Sequence, residues 1–240
     1  MSNDIKALLL PFPDFDTLDL FAPIEVLGKG AAIGGLNITF DIAMVSQPTL
    51  SLEKLPVVPT LTISEALLCL EKYEIVIQPG AGVEAIENQH LELLLKFLQL
   101  TTASERGCHR VLMTICTGAL IAGLVGALSH STVTTHYEGL DNLKRYCEMG
   151  EQGTKVIPDI GDGDWKGFKD AQKQMSRWAT TICPGYGVKI ISSGGISCGL
   201  DASLYLVSEL EVWKDGKLEK VRIKKAHMCA RIMEYAWRWA

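Results

Sequence analysis

Short apolar runs alternate along the chain with longer amphipathic segments, and this alternation constrains the fold more than any other feature of the sequence. The runs at residues 5–10, 38–45 and 110–115 are predominantly apolar over successive positions, which is typical of strands covered on both faces. The segments 17–27 and 89–102 place apolar residues at helical spacing. The pattern therefore predicts an α/β fold, with a mostly parallel sheet between two layers of helices.

The composition is that of one folded unit. A chain of 240 residues with 48% hydrophobic and 21% charged residues is neither disordered nor a coiled coil. We interpret residues 1–240 as a single domain with a predicted C-terminal helix at about 217–239. A loop-rich insertion at about 150–187, which contains many Gly, Pro and Asp residues, interrupts the alternation. It carries a predicted short helix at 168–178. The insertion is either a lid or partner surface, or a tolerated surface loop.

Charge and cysteine usage indicate the compartment and exclude several partners. The chain has 23 basic and 28 acidic residues and a net charge of −5, so we expect neither nucleic acid nor a membrane surface as a partner. Its first residues lack the basic start and long apolar core of a signal peptide. The seven cysteines form no C-x-x-C pair, which predicts free thiols in the cytoplasm, with the nucleus as an alternative. We expect no metal, because the five histidines lack helical ligand spacing.

The strongest chemical signal is a cysteine between a strand and a helix. The apolar run 110–115 leads directly into Cys116, and Gly118 opens the next helix. This is a turn of the nucleophile-elbow type, which lifts a side chain above the sheet. The free N–H groups of the helix start favour a thiolate, and the Thr117 N–H would face an oxyanion on a substrate. The alternative is a buried structural cysteine, the common fate of this residue type.

Two further residues are candidates to approach Cys116, because the carboxyl ends of parallel strands meet at one edge of a sheet. Asp19 lies early in the first helix, where it would act as an acid if poorly solvated or would simply favour the helix dipole. His136 follows a short predicted strand at 132–135. It would lower the thiol pKa or move protons, or it would be an ordinary surface or core histidine.

Two glycine-rich turns also follow predicted strands. The turn Gly80-Ala81-Gly82 offers close backbone approach and free N–H groups. It also begins a weak dinucleotide fingerprint, which we do not adopt because no acidic residue follows at the required place. The second turn, in residues 192–201, includes Cys198 as a competing nucleophile, but the pattern gives Cys198 no partner base.

Four motifs together resemble the ThiJ/PfpI superfamily. They are Phe12 to Val26, Ile115 to Ala119, Thr134 to His136 and Ser193 to Asp201, and the resemblance runs from about residue 5 to residue 212. The resemblance implies the class I glutamine amidotransferase-like fold, which is a flavodoxin-like three-layer sandwich. Within the superfamily the chain looks most like the isonitrile hydratase branch. The resemblance also implies a homodimer.

The resemblance assigns roles to individual residues. Cys116 matches the nucleophile, Asp19 the acid that contacts it, Thr117 the threonine beside it, and His136 a histidine near it in several branches.

Backbone groups complete the implied site. Gly80 and Ala81 match a Gly-Gly turn that forms part of an oxyanion hole, and we group Gly82 and Gly118 with them as substrate-binding positions. Ala81 departs from the family pattern, and an alanine is disfavoured there if the position needs a positive φ.

The implied activity is the addition of water to a small-molecule isonitrile, giving an N-substituted formamide without a cofactor. Two alternatives stay open. One is a glyoxalase III-like conversion of methylglyoxal to lactate, in which His136 would move a proton. The other is a non-enzymatic stress protein that senses oxidants through Cys116 and has chaperone-like duties.

Overall fold

The computed structural model describes residues 2–45, 48–100, 104, 107–150, 153–157, 177–183 and 186–237. The strands are β1 (Asp4–Leu9), β2 (Asn37–Met44), β3 (Thr49–Leu50), β4 (Pro56–Val57), β5 (Leu61–Thr62), β6 (Ile75–Gln78), β7 (Val111–Thr114), β8 (Thr132–Val133), β9 (Lys155–Val156), β10 (Trp178–Ile182), β11 (Lys189–Ser193), β12 (Glu211–Lys214) and β13 (Lys217–Lys220). The α-helices are α1 (Thr17–Gly34), α2 (Ile63–Leu67), α3 (Asn88–Gln99), α4 (Gly118–Leu124), α5 (Leu140–Gly150), α6 (Cys198–Glu209) and α7 (Ile223–Ile232), and short 3₁₀ turns lie at Leu70–Lys72, Val83–Ala85 and Tyr137–Gly139.

A seven-stranded sheet forms the centre of the molecule. Its strand order is β10-β11-β7-β6-β1-β2-β5, and every neighbouring pair is parallel except β10 with β11. The order β2-β1-β6-β7-β11 is the 2-1-3-4-5 order of flavodoxin-like folds. All residues of β6 and β7 are buried, as expected for strands covered on both faces. The predicted α/β fold is thus confirmed.

The sheet separates the helices into two layers, and each layer packs on its own hydrophobic core. On one face of the sheet, buried side chains of α1, α6 and α7 pack against inward-facing residues such as Leu9 and Met113. On the opposite face, α2 to α5 cover residues such as Leu8 and Leu112. Successive residues of a strand therefore enter different cores, which follows from the two-residue period of a strand. None of the helices in the described ranges is both long and apolar enough to span a membrane.

The first helix begins where the sequence predicts and ends later. The Asp16 side chain accepts hydrogen bonds from the N–H groups of Leu18 and Asp19, which fixes the start of α1. The helix continues past the predicted end at residue 27 and stops at a left-handed Gly35 with φ of 84°.

The predicted C-terminal helix at 217–239 is wrong in its first part. Residues Glu211–Lys214 and Lys217–Lys220 form an antiparallel hairpin. Asp215 and Gly216 have φ of 49° and 77°, which is the backbone of a two-residue Asp-Gly hairpin loop. The helix itself covers only Ile223–Ile232.

Most of the predicted insertion cannot be compared, since residues 158–176 lie outside the described ranges. In the part that can be compared, the prediction of a helix at 168–178 is wrong at its C-terminal end. Trp178 begins β10, an antiparallel edge strand paired with β11.

Candidate active site

The candidate site lies at the carboxyl edge of the parallel sheet. The loops that follow β1, β6, β7 and β11 meet there, close to the point where the strand order reverses between β1 and β6. Open α/β sheets bind ligands at such a switch point.

Cys116 occupies a strained turn between β7 and α4. Its φ is 94°, unusual for a residue other than glycine, and its side chain is only 7% exposed. The Cys116 carbonyl accepts hydrogen bonds from the His136 N–H at 3.3 Å and from the Thr135 hydroxyl. The predicted nucleophile elbow is therefore present, and the strand-to-helix turn holds the thiol at the edge of the sheet.

The Asp19 carboxyl is the acid that faces Cys116. Asp19 is fully buried, and its Oδ2 accepts a hydrogen bond from the Gly80 N–H at 3.1 Å. Oδ1 has no hydrogen-bond partner among the described residues, and the carboxyl and the Cys116 thiol influence each other's pKa. Burial above all, with the nearby charge of Asp16, raises the pKa of Asp19 to about 7.

The Cys116 thiol is subject to opposing influences. Burial and then the charge of Asp19 raise its pKa, whereas the N–H groups of Ile196 and Thr117 lower it by hydrogen bonding to the sulfur. Protonation of Asp19 removes the unfavourable charge and supplies an O–H donor to the sulfur. The two groups therefore behave as one unit that carries a single negative charge more readily than two.

Gly80 is required by space rather than by backbone conformation. Neither Gly80 nor Ala81 has a positive φ, so the predicted cost of Ala81 does not arise. A Cβ on Gly80 would lie 2.9 Å from both the Asp19 Oδ2 and the Thr117 backbone N. The turn is held by the Thr117 hydroxyl, which donates to the Ala81 carbonyl at 2.8 Å. The Gly80 N–H serves Asp19 and is not free for an oxyanion.

Gly118, which we predict to bind substrate, has its N–H engaged within the chain. Its N–H donates to the Ile115 carbonyl at 2.9 Å. A Cβ at this position would overlap the Gln78 carbonyl oxygen. Gly118 therefore allows α4 to pack against the end of β6. Gly82 follows the same turn, and an added Cβ there would meet only the flexible end of Glu84, at 3.0 Å.

His136 joins the site through its backbone. Its ring packs against Gly195 so closely that a Cβ there would overlap it. The ring Nδ1 accepts a hydrogen bond from the Glu138 N–H at 3.4 Å. The imidazole is thus engaged with the turn after β11 and with its own helix start.

The sequence interpretation missed two contributors. The first is the Ile196 N–H, which donates to the Cys116 sulfur; the glycine pair before it was the available signal. The second is the β3–β4 hairpin, where the Ser51 hydroxyl accepts from Thr17 at 3.0 Å and Glu53 also binds Thr17. Glu53 adds to the negative field at Asp19, and no motif marked it.

The second cysteine junction has different neighbours. Cys198 is the first residue of α6 and is partly exposed. The side chain of Arg177 pairs with the fully buried Asp201 and donates to the Ser197 hydroxyl at 3.2 Å. Within the described ranges, no group of three or more His, Cys, Asp or Glu residues is placed to bind a metal.

Comparisons with known proteins place these features in a wider group. No protein-family model matches the chain. It is 25% identical to an isonitrile hydratase from Pseudomonas putida over 219 residues, which are 90% of this chain and 77% of the hydratase. A ThiJ/PfpI family protein from Pseudomonas syringae matches 99% of the chain and 78% of its own length, with a TM-score of 0.68 and 19% identity. Drosophila melanogaster DJ-1beta matches 99% of the chain and all of its own length, with a TM-score of 0.65 and 14% identity.

The structural neighbours are too different in sequence to show more than the fold. The similarity to the hydratase is one of sequence and extends over most of the chain. The fold, the cysteine turn and these relatives together bear out the resemblance to the ThiJ/PfpI superfamily, whose fold this chain has.

Proposed function

We propose that the protein is a cysteine-dependent hydratase that converts an isonitrile and water into an N-substituted formamide. The observation that carries the proposal is the fully buried Asp19 carboxyl beside the cysteine turn: its Oδ2 accepts from the Gly80 N–H at 3.1 Å, and a Cβ on Gly80 would meet both this oxygen and the Thr117 backbone N. With a pKa of about 7, this carboxyl can donate and accept a proton near neutral pH. The 25% identity to the Pseudomonas putida isonitrile hydratase supports the substrate class.

In the first step the sulfur of Cys116 forms a bond to the terminal carbon of R–N≡C, and Asp19 donates its proton to that carbon. The product is a thioimidate, R–N=CH–S, attached to Cys116. The N–H groups of Thr117 and Ile196 stabilise the negative charge on the sulfur before attack.

In the second step the Asp19 carboxylate takes a proton from a water molecule whose oxygen adds to the thioimidate carbon. Asp19 passes that proton to the nitrogen. It then receives the hydroxyl proton as the carbon–sulfur bond breaks. The products are R–NH–CHO, a Cys116 thiolate and a protonated Asp19, so the cycle consumes only the isonitrile and water.

The direct test is incubation of the purified protein with cyclohexyl isocyanide, with N-cyclohexylformamide measured by chromatography. We expect turnover by the wild type, none by Cys116→Ala, and nearly unchanged turnover by Cys198→Ala. The last variant is the matched control, because it removes the thiol of the other strand-to-helix junction. No formamide from the wild type, or equal amounts from Cys116→Ala, would contradict the proposal.

Replacing Asp19 separates proton transfer from nucleophile formation. We expect Asp19→Asn to lower turnover by about 10²-fold or more, the usual worth of a positioned acid–base group. Cys116 in this variant should still react with iodoacetamide, because the carboxyl charge that raises the thiol pKa is gone. Wild-type turnover should rise as the pH rises towards about 7, where the Asp19–Cys116 pair loses the first of its two protons and gains the single negative charge that the reaction uses. Unchanged turnover in Asp19→Asn would rule out the acid role.

The two alternative functions have less structural support. A glyoxalase III-like reaction needs the His136 imidazole at the reacting carbon, whereas its ring is engaged with Gly195 and Glu138. An oxidant sensor would use the same sulfur of Cys116, but it lacks the sequence relative that supports the hydratase. Lactate formation from methylglyoxal by the wild type but not by His136→Ala would favour the glyoxalase. The homodimer and the cytoplasmic location stay predictions; light scattering on the purified protein tests the first.

A further inference from the structure

The turn after β11, which contains Ile196, is bound by a buried ion pair. Asp201 is fully buried on α6, and its carboxylate pairs with the Nε of Arg177, which directly precedes β10. The Trp237 indole donates to the Asp201 carbonyl at 3.2 Å, so the C-terminal segment covers the same place. A buried charge is costly unless it is paired, so the burial of Asp201 keeps the Arg177 side chain in place beside it.

Arg177 holds the turn between residues 194 and 197 at both ends. Its backbone carbonyl accepts a hydrogen bond from the Gly194 N–H at 3.0 Å. Its guanidinium donates to the Ser197 hydroxyl at 3.2 Å while it pairs with Asp201. The planar guanidinium can make both contacts at once because its donors form a fixed fork.

The same turn presents the Ile196 N–H to the sulfur of Cys116. Ile196 has φ of 31°, in a region that a β-branched residue adopts only when its surroundings force it. The His136 ring packs against Gly195 of the same turn. The direction of the Ile196 N–H therefore depends on the contacts that hold this turn.

We propose that Arg177 and Asp201 are positioning residues, whose ion pair fixes the turn so that the Ile196 N–H donates to the Cys116 sulfur and favours its thiolate. They act through the backbone and do not contact the substrate. The charged and titratable groups that face Arg177 are Asp201, Cys198 and Tyr235. Asp19 is the carboxyl that faces Cys116 directly.

A second ion pair on α6 provides a matched control. Lys189 at the start of β11 pairs with Glu209 at the other end of the helix. The side chains of Lys189 and Arg177 are similarly exposed, at 16% and 21%. Lys189→Met thus removes a cation that pairs with the same helix far from the cysteine turn, and Glu209 keeps Lys220 as a second partner at 2.9 Å.

The test measures the rate of iodoacetamide alkylation of Cys116 against pH, with each cysteine resolved by peptide mass spectrometry. We expect Arg177→Met to move the profile to higher pH and slow alkylation at a pH of about 8 by about threefold to tenfold, because the rate follows the thiolate fraction. Arg177→Lys should recover part of the loss, since it keeps a cation beside Asp201 but not the fork. Lys189→Met should leave the profile unchanged.

An unchanged profile in folded Arg177→Met, or an equal shift in Lys189→Met, would overturn the proposal. If Arg177→Met does not fold, Ser197→Ala decides the matter, because it removes only the guanidinium–hydroxyl bond. It should shift the profile in the same direction by less, and no shift in Ser197→Ala or Arg177→Lys would equally overturn the proposal. The measurement needs no substrate, so its outcome is independent of whether isonitriles are hydrated.

Discussion

Cys116 and Cys198 each lie at a junction where a strand of the parallel sheet turns into a helix, yet their surroundings differ in burial and in charge. Cys116 lies on the turn itself, with φ of 94°, and is 7% exposed. Cys198 is the first residue of α6 and is partly exposed.

Each junction also has a fully buried aspartate, and the partners of the two aspartates differ. Asp19 faces a thiol and a backbone N–H, and none of the described residues that act on it is a cation. Asp201 pairs with Arg177. The first carboxyl consequently retains its proton to about pH 7, which suits proton transfer, whereas the second is part of a fixed ion pair. Similar local geometry thus supports different chemistry.

The largest expected difference concerns the glycines after the two cysteines. A Cβ on Gly118 would overlap the backbone oxygen of Gln78, which cannot move without distorting β6. A Cβ on Gly199 would lie 3.0 Å from the Ile115 side chain, which can shift. We expect Gly118→Ala to lower the free energy of unfolding by about 3 kcal/mol.

Gly199→Ala is the matched control, and its effect should be below about 1 kcal/mol because alanine also favours the helix. Urea denaturation of both variants measures the difference. Equal effects would mean that the two junctions are packed alike.

An effect of similar size concerns the pH dependence of stability at Asp19. Its pKa is raised from 3.8 to about 7 in the folded protein, so between these pH values the folded state holds a proton that the unfolded state has lost. The free energy of unfolding therefore falls as the pH rises from about 4 to about 7. Asp19→Asn lacks this contribution, and its stability relative to the wild type should rise by about 3 kcal/mol over that range.

Denaturation of the wild type and Asp19→Asn at several pH values measures this change. The comparison between the two proteins cancels the contributions of the other titratable groups. A constant difference across the range would show that Asp19 is ionised in the folded protein, which would remove the distinction between the two aspartates.

The smallest effect is expected at Ala81, where the family pattern has glycine. Because Ala81 has no positive φ, Ala81→Gly should gain nothing in the folded state and should add freedom to the unfolded chain. We expect a loss of stability of about 0.5–1 kcal/mol, with turnover within about twofold of the wild type because the turn keeps its hydrogen bond to Thr117. A large gain in turnover would show that Ala81 impairs the site.

Much of the fold follows from local sequence. The apolar runs predicted β1, β2 and β7 within one residue of their observed bounds, because strands buried on both faces leave a continuous apolar signal. The β12–β13 hairpin was missed although Asp215-Gly216 is a hairpin signal. The predicted helix begins too early, at residue 217, because the helical spacing of the residues after the hairpin is taken to include the second strand of the hairpin.

The candidate site was predictable in part. The strand–cysteine–glycine pattern identified Cys116, and the rule that parallel strand ends meet at one edge selected Asp19. The pattern could not show that the His136 ring turns towards Gly195, or that the Gly80 N–H is bound by Asp19. Those facts depend on side-chain packing between distant segments.

The sequence by itself determined the parallel α/β sheet and the placement of a cysteine on a strained turn, because apolar periodicity and turn residues act within a few positions of the chain. Only the tertiary structure decided the charge environment of each thiol. Asp19 lies 97 residues before Cys116, and burial in the assembled core sets the pKa of its carboxyl. Desolvation and charge depend on distance in space, which the order of residues does not record.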